Sequence, residues 1–254
     1  MKLLFIGDVV GDVGCQFLKR KLPALRRGLG ADVTIVNGEN SANGNGITAY
    51  SAEQIFQSGA DIITTGNHAF QRKEALHIYD NECILRPANY SEACPGQGVG
   101  ILDMGACRIA VINLSGVLFL ENLDNPFTVI DTLLRELDTP NVFVDFHAEA
   151  TSEKKAMGHY LTGRVTALFG THTHVQTADA AILGGHTGYI TDAGMTGVED
   201  SVLGVKKDIA IDRLRLHVPI RFEEAKGDCF LNGVLVEFNE KFGICTKIEP
   251  LIVR

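Results

Sequence analysis

Short apolar runs recur along this chain, separated at first by helical spacings and later by turns alone. Residues 2–6 read as a strand, and a helix follows from Cys15 to about Leu29 with Phe17, Leu18, Leu22 and Leu25 near one face. The pattern repeats: a strand at Val33–Val36, a short helix at Ala52–Ser58, a strand at Asp61–Thr65 and a helical segment at Arg72–Tyr79. Residues 83–98, with Pro87, Pro95 and several glycines, read as irregular. Runs at Gly98–Leu102 and Arg108–Leu114 flank a hairpin connection. Pro126 opens a helix to about Leu137. A strand at Val142–Phe146, a helix at Ser152–Leu161 and a strand at Val165–Phe169 follow. Gly184–Gly188 then carries a hairpin signal. Residues 191–197 read as a loop, Val205–Leu216 as a helix, and Val218–Phe222, Phe230–Phe238 and Ile244–Val253 as strands. Strands that alternate with helices early and run without them late predict an α/β chain of two packed sheets flanked by helices, in a single domain over residues 1–254.

Composition narrows the partners. The 254 residues are 45% hydrophobic and 21% charged, enough for a large core. A formal net charge of −8 argues against an extended nucleic-acid surface, while a small phosphorylated ligand stays open if bound metal supplies local positive charge. No apolar run approaches the ~20 residues of a membrane span. The chain enters its first strand without a signal-peptide h-region, and its six cysteines form no C-x-x-C pair. These features predict a cytoplasmic protein with reduced thiols and no membrane partner; a homo-oligomer stays open.

The residues that close the apolar runs supply the chemistry. Asp8 follows the first strand, Glu39 the second and Asn67-His68 the third; His147 follows a later one, and His172-Thr173-His174 another. Each has an ordinary reading alone. Asp and Asn close turns, a histidine at a strand end is satisfied by hydrogen bonds, and H-x-H is more often a plain loop than a ligand pair. Spacing i, i+2 in extended backbone would put His172 and His174 on one side. Five strand ends delivering ligand-type residues, at the C-terminal edge where α/β sheets bind ligands, point instead to a metal site. The opening strand–turn–helix lacks G-x-G-x-x-G, and Asp8 would repel a phosphate unless a cation lay between.

Asp8, Glu39, Gly66-Asn67-His68, His147 and Gly170-Thr171-His172-Thr173-His174 resemble the five motifs of the calcineurin-like metallophosphoesterases. Two departures, Val10 in place of a histidine and Gly38-Glu39-Asn40 in place of Gly-Asp, resemble the YmdB-type bacterial branch. The likeness extends over essentially the whole chain, through Met195-Thr196-Gly197 and Pro219-Ile220-Arg221-Phe222. The resemblance implies a four-layer αββα sandwich of two mixed sheets, a dinuclear metal centre and phosphodiesterase activity on cyclic nucleotides such as 2′,3′-cyclic AMP. Carried over residue by residue, it implies that Glu39 bridges two divalent transition metals. Asp8, His174 and Asn40, which takes the place vacated at Val10, would hold the first metal. Asn67, His147 and His172 would hold the second, and His68 would stand beside the phosphate as the catalytic group. Mixed oxygen–nitrogen sites favour Fe or Mn, with Zn also open.

Asp8 and Glu39 bring about −2 and two divalent ions +4, so such a site would be cationic within an acidic chain. Two metals ~3.5–4 Å apart can share a hydroxide and clamp phosphate oxygens for in-line attack. Alternatives within the same residues are a regulatory protein that binds a nucleotide or partner with low turnover, and a phosphomonoesterase.

Overall fold

A computed structural model describes residues 1–254. The first apolar run is β1 (Lys2–Ile6), followed by the two-residue β2 (Asp8–Val9) and α1 (Gly11–Leu29). Then come β3 (Val33–Asn37), α2 (Ala49–Gln57), β4 (Ile62–Thr64), a 3₁₀ helix over Lys73–Asp80, and β5 (Ile84–Leu85). The middle of the chain forms β6 (Val99–Asp103), β7 (Arg108–Ser115), α3 (Pro126–Glu136), β8 (Val142–His147), α4 (Thr151–Tyr160) and β9 (Ala167–Thr171). The last third holds β10 (Ala181–Leu183), β11 (Thr187–Ile190), β12 (Met195–Val198), α5 (Lys207–Leu216), β13 (Cys229–Asn239) and β14 (Ile244–Val253).

The strands divide into an eight-stranded sheet, ordered β2-β12-β13-β1-β3-β4-β5 with β14 also on β13, and a six-stranded sheet ordered β10-β11-β9-β8-β7-β6. Both are mixed. In the first, β1, β3, β4 and β5 run parallel while β13 is antiparallel to β1. In the second, β7, β8, β9 and β11 run parallel and the edge pairs are antiparallel.

Three apolar clusters mark the layers. One, with Leu4, Ile6, Leu18, Leu22, Ile55 and Ile63, lies under α1 and α2. A second, with Leu3, Phe5, Ile35, Val111, Phe143 and Phe169, fills the space between the sheets. The third, with Ile112, Ile130, Val144, Phe146, Met157 and Leu168, lies under α3 and α4. Alternate residues of one strand serve opposite layers: Leu3 and Phe5 face the second sheet, Leu4 and Ile6 the helices. Phe5 stacks on Phe169 across the sheets with ring centroids 4.4 Å apart. The architecture is the four-layer αββα sandwich.

Besides the two-residue β5, which lies inside the stretch read as irregular, three expectations change. α1 begins at Gly11 rather than Cys15, because the glycines that read as a turn are absorbed into its first turn; a Cβ at Gly14 would lie 2.6 Å from the Thr196 carbonyl oxygen. The predicted loop at 191–197 contains the start of β12, a strand buried at every position between β2 and β13. Its surroundings cover both faces, so no alternation marks it. Val218–Phe222, which alternates well, forms no strand: Val218 and Phe222 are exposed and no neighbouring strand offers a ladder.

Candidate metal centre

The C-terminal ends of β1, β3 and β4 in one sheet meet those of β8 and β9 in the other, and all the residues singled out at strand ends converge there. Asp8, Glu39 and His147 are fully buried, Asn40 nearly so, and His172 and His174 partly exposed at the mouth. His68, with 30% of its side chain exposed, is the most open of the three residues around Glu39.

Glu39 sits at the centre. Its Oε1 lies 3.0 Å from His147 Nε2 and 3.1 Å from Asn40 Nδ2, and its Oε2 accepts the His68 backbone N–H at 3.0 Å. On one side, His147 Nε2 faces Asn67 Oδ1 and His172 Nδ1, each at 3.0 Å. On the other, Asp8 Oδ1 lies 3.4 Å from Asn40 Nδ2 and 3.6 Å from His174 Nε2, and Asn40 Nδ2 lies 3.2 Å from that same nitrogen. The two histidines of the H-x-H stretch therefore part: His172 joins His147, and His174 joins Asp8. Positive φ values, 101° at His172 and 63° at His174, remove them from the extended backbone that would have aligned them.

Gly66 explains its place before Asn67-His68. A Cβ there would lie 2.2 Å from the His147 ring and 2.3 Å from Glu39 Oε2, so only glycine lets this backbone pass beneath both.

The threonines of Thr171-His172-Thr173-His174 point the other way. Thr171 Oγ1 donates to the buried Asp145 at 2.7 Å, and Thr173 donates to the buried Asp192 through its hydroxyl at 2.8 Å and its N–H at 3.0 Å. Asp192 is paired at 2.8 Å with Lys154, itself fully buried. His172 Nε2 reaches Glu149 Oε2 at 3.0 Å, and its backbone N–H donates to Asp8 Oδ2 at 3.2 Å. Sequence reasoning missed Asp145, Glu149, Lys154 and Asp192. Asp145 did carry a signal, as an acid inside the apolar run Val142–Phe146.

The field in the pocket is negative. Burial opposes charge on His147, yet the Glu39 carboxylate, with Asp8 and Asp145, lifts it to about 9. Burial and the neighbouring His147 charge push His172 down to about 4. Burial raises Asp8, but His174 and His147 outweigh it and hold the carboxyl below its ordinary range. Glu39 is likewise lowered: burial raises it and the His147 charge prevails. Asp145 goes the other way, pushed by burial up to about 6 against His147 and its hydrogen-bond donors.

Chemistry provides the fit test for metal. Oxygens of Glu39 and Asn67 and nitrogens of His147 and His172 turn toward one another, and the Glu39, His147 and His172 donor atoms all lie within 4.8 Å. Lone pairs gathered this way need positive charge among them. Asp8, His174 and Asn40 make a second such group, although the carboxamide presents its nitrogen there and its oxygen to His68 Nδ1 at 2.9 Å. A half-turn of that amide exchanges the two ends. The Glu39, His147 and His172 donors fit a cation.

Features outside the centre are ordinary. Tyr90 packs edge-on against Phe70 and donates to Glu121. Val10, where related motifs carry histidine, packs against Gly204. No helix is long and apolar enough to cross a membrane.

Known proteins resemble this chain over its whole length. A 2',3'-cyclic-nucleotide 2'-phosphodiesterase of Bacillus subtilis is 45% identical over 257 residues, covering 100% of this chain and 97% of that protein. The crystal structure of a novel phosphatase from Mycoplasma pneumoniae superposes with a TM-score of 0.95 at 34% identity, covering 100% of this chain and 93% of that one. A calcineurin-like phosphoesterase of Bacillus subtilis, at 10% identity and a TM-score of 0.55 over 100% of this chain and 90% of that one, shows the fold alone. A YmdB-like protein family model matches residues 4–251, and with it the chain belongs to the YmdB-like family of metallophosphoesterase fold.

Proposed function

We propose that this enzyme is a two-metal phosphodiesterase that opens 2′,3′-cyclic nucleotides at the 2′ ester. The observation that carries the reading is the central position of Glu39, buried between an Asn67–His147–His172 group and an Asp8–Asn40–His174 group. Glu39 would bridge the ions, each flanking group holding one, with Asn40 ligating through a turned carboxamide. The mixed donor set favours Fe or Mn, with Zn also accommodated. When bound, such ions supply a nucleophile at neutral pH and neutralise phosphate charge.

The chain's own residues do the rest. His68 is fixed at two points, by its N–H on Glu39 and its Nδ1 beside Asn40, which leaves Nε2 as the nitrogen free to face substrate. In-line attack forms a bond from the incoming oxygen to phosphorus and breaks the bond to the ribose 2′ oxygen. His68 Nε2–H gives that oxygen its proton, and a 3′-phosphate remains. The negative field of Asp8 and Glu39 excludes an anionic substrate until cations are present. We place the reaction in the cytoplasm, on a small nucleotide rather than a polymer, within one metallophosphoesterase domain.

Multiple turnover on 2′,3′-cyclic AMP with Mn²⁺, with product identified and compared with a phosphomonoester, tests this. A 3′-nucleotide formed over many cycles is the expected result. Less than one turnover per chain would indicate a binding protein, and faster hydrolysis of the monoester a phosphatase; either would overturn the proposal.

A further inference from the structure

Asp145 is a fully buried acid within β8, and no lysine or arginine pairs with it. Three donors converge on it instead. Thr64 Oγ1 at 2.5 Å and Asn37 Nδ2 at 2.9 Å reach its Oδ2, and Thr171 Oγ1 at 2.7 Å reaches its Oδ1. Thr171 has one hydroxyl proton, and Asp145 takes it. Two nitrogens also face Thr171 Oγ1, Asn37 Nδ2 donating at 3.5 Å and His147 Nδ1 at 2.9 Å; with the hydroxyl proton directed to Asp145, His147 Nδ1 is the donor in the shorter contact. With Nδ1 carrying a proton, the nitrogen His147 turns toward Glu39, Asn67 and His172 is Nε2, each partner at 3.0 Å.

Backbone register makes the chain of contacts rigid. His147 pairs with Thr171 and Asp145 with Phe169 across the parallel β8–β9 ladder. Asn37 and Thr64 come from the ends of β3 and β4 in the opposite sheet. The relay thus spans both sheets at the point where their strand ends meet.

We propose that Asp145 and Thr171 form a positioning relay that holds His147 as the Nδ1–H tautomer and aims its Nε2 lone pair into the pocket. This rests on the reading that the pocket holds metal. Its role is to fix the tautomer and ring orientation of one ligand, the task that hydrogen-bonded carboxylates perform behind metal-binding histidines. Here a threonine hydroxyl is interposed, which makes the prediction specific: the hydroxyl, not the methyl group, is required.

The test uses the full chain with Zn²⁺ as a diamagnetic probe and ¹⁵N-labelled histidine. Thr171→Val removes the acceptor while keeping the side-chain shape, and Thr171→Ser restores it. The expected outcome is a slowly exchanging His147 Nδ1–H in wild type and Thr171→Ser, absent in Thr171→Val, with Zn²⁺ affinity about 10–100-fold weaker in Thr171→Val alone. Asp145→Asn, which cannot accept on both of its outer atoms, should also lose the Nδ1–H signal if Thr171→Val fails to fold. Wild-type affinity and an intact Nδ1–H in folded Thr171→Val would overturn the relay, as would Thr171→Ser being as weak as Thr171→Val. A wild type that takes up no Zn²⁺ defeats the metal reading instead. The relay is then read from the ¹⁵N shifts of Nδ1 and Nε2 in the metal-free chain at a pH where the ring is neutral: an Nδ1–H tautomer in wild type supports it, and an Nε2–H tautomer overturns it.

Discussion

The two halves of the centre are built differently. Around His147 and His172 the donors are two ring nitrogens and an amide oxygen, with Asp145 and Glu149 behind them. Around Asp8 and His174 there is one ring nitrogen, one carboxylate and an amide, with Val10 filling space beside Gly204. Their supports differ as well. The His147 half rests on hydrogen bonds to Asp145 from both sheets, whereas the loop carrying His174 rests on an ion pair, Asp192 with Lys154, reached through Thr173. His174 Nδ1 also leans on the Leu203 carbonyl, part of an exposed loop. Under the two-metal proposal, the imidazole-rich half is expected to hold its ion more firmly than the carboxylate half.

The largest effect should come from removing what the halves share. Glu39→Ala is expected to lose both metals and all measurable turnover together, read by metal analysis beside the assay. A variant that keeps two equivalents would break the bridging assignment. His68→Ala should retain both metals and lose about 10²–10⁴-fold in kcat, the range of a general acid. Full turnover would remove His68 from the chemistry.

Lys154→Met probes the support of the weaker half. It leaves Asp192 buried beside Thr173 without its cation, a loss of about 3–5 kcal/mol and a fall in Tm on the order of 10 °C. Thermal unfolding measures it; an unchanged Tm would show that the hydrogen bonds to Asp192 suffice. Asn40→Ala should release one equivalent of metal and leave the other, sharpening the contrast between halves. Loss of both ions or of neither would erase the distinction.

The smallest effect concerns acid. Burial raises Asp179, but Lys155, Thr191 and Thr177 outweigh it and hold its carboxyl well below the usual range. A folded-state pKa below the unfolded one stabilises above the unfolded value, about 3.9, and that contribution is lost as pH falls through the folded value. The Tm advantage of wild type over Asp179→Asn should therefore shrink between about pH 5 and pH 2. A constant difference would contradict the assignment.

Much of this was legible in the sequence because strand-end chemistry is local. An apolar run followed by Asp8, Glu39, Asn67-His68 or His147 can be read without knowing its neighbours, and parallel strands then deliver those residues to one edge. β12 was not legible: its four residues are buried in mid-sheet and lack a period, and its identity as a strand depends on β2 and β13 lying on either side. Val218–Phe222 shows the converse, a strand pattern with no ladder to join. Nothing local marks Thr171 and Thr173, because their partners Asp145 and Asp192 lie elsewhere in the sequence.

The sequence by itself determined the layered α/β architecture and which candidate ligand residues stand at the strand ends, because periodicity and strand-terminal residues are properties of short segments. The resemblance implied how the donors divide, and the tertiary structure supplies the physical reason. His172 and His174 are two residues apart, yet positive φ at each turns one toward His147 and the other toward Asp8. That division, and the buried carboxylates beneath it, comes from two sheets meeting at their strand ends, where segments distant in sequence supply each other's hydrogen bonds.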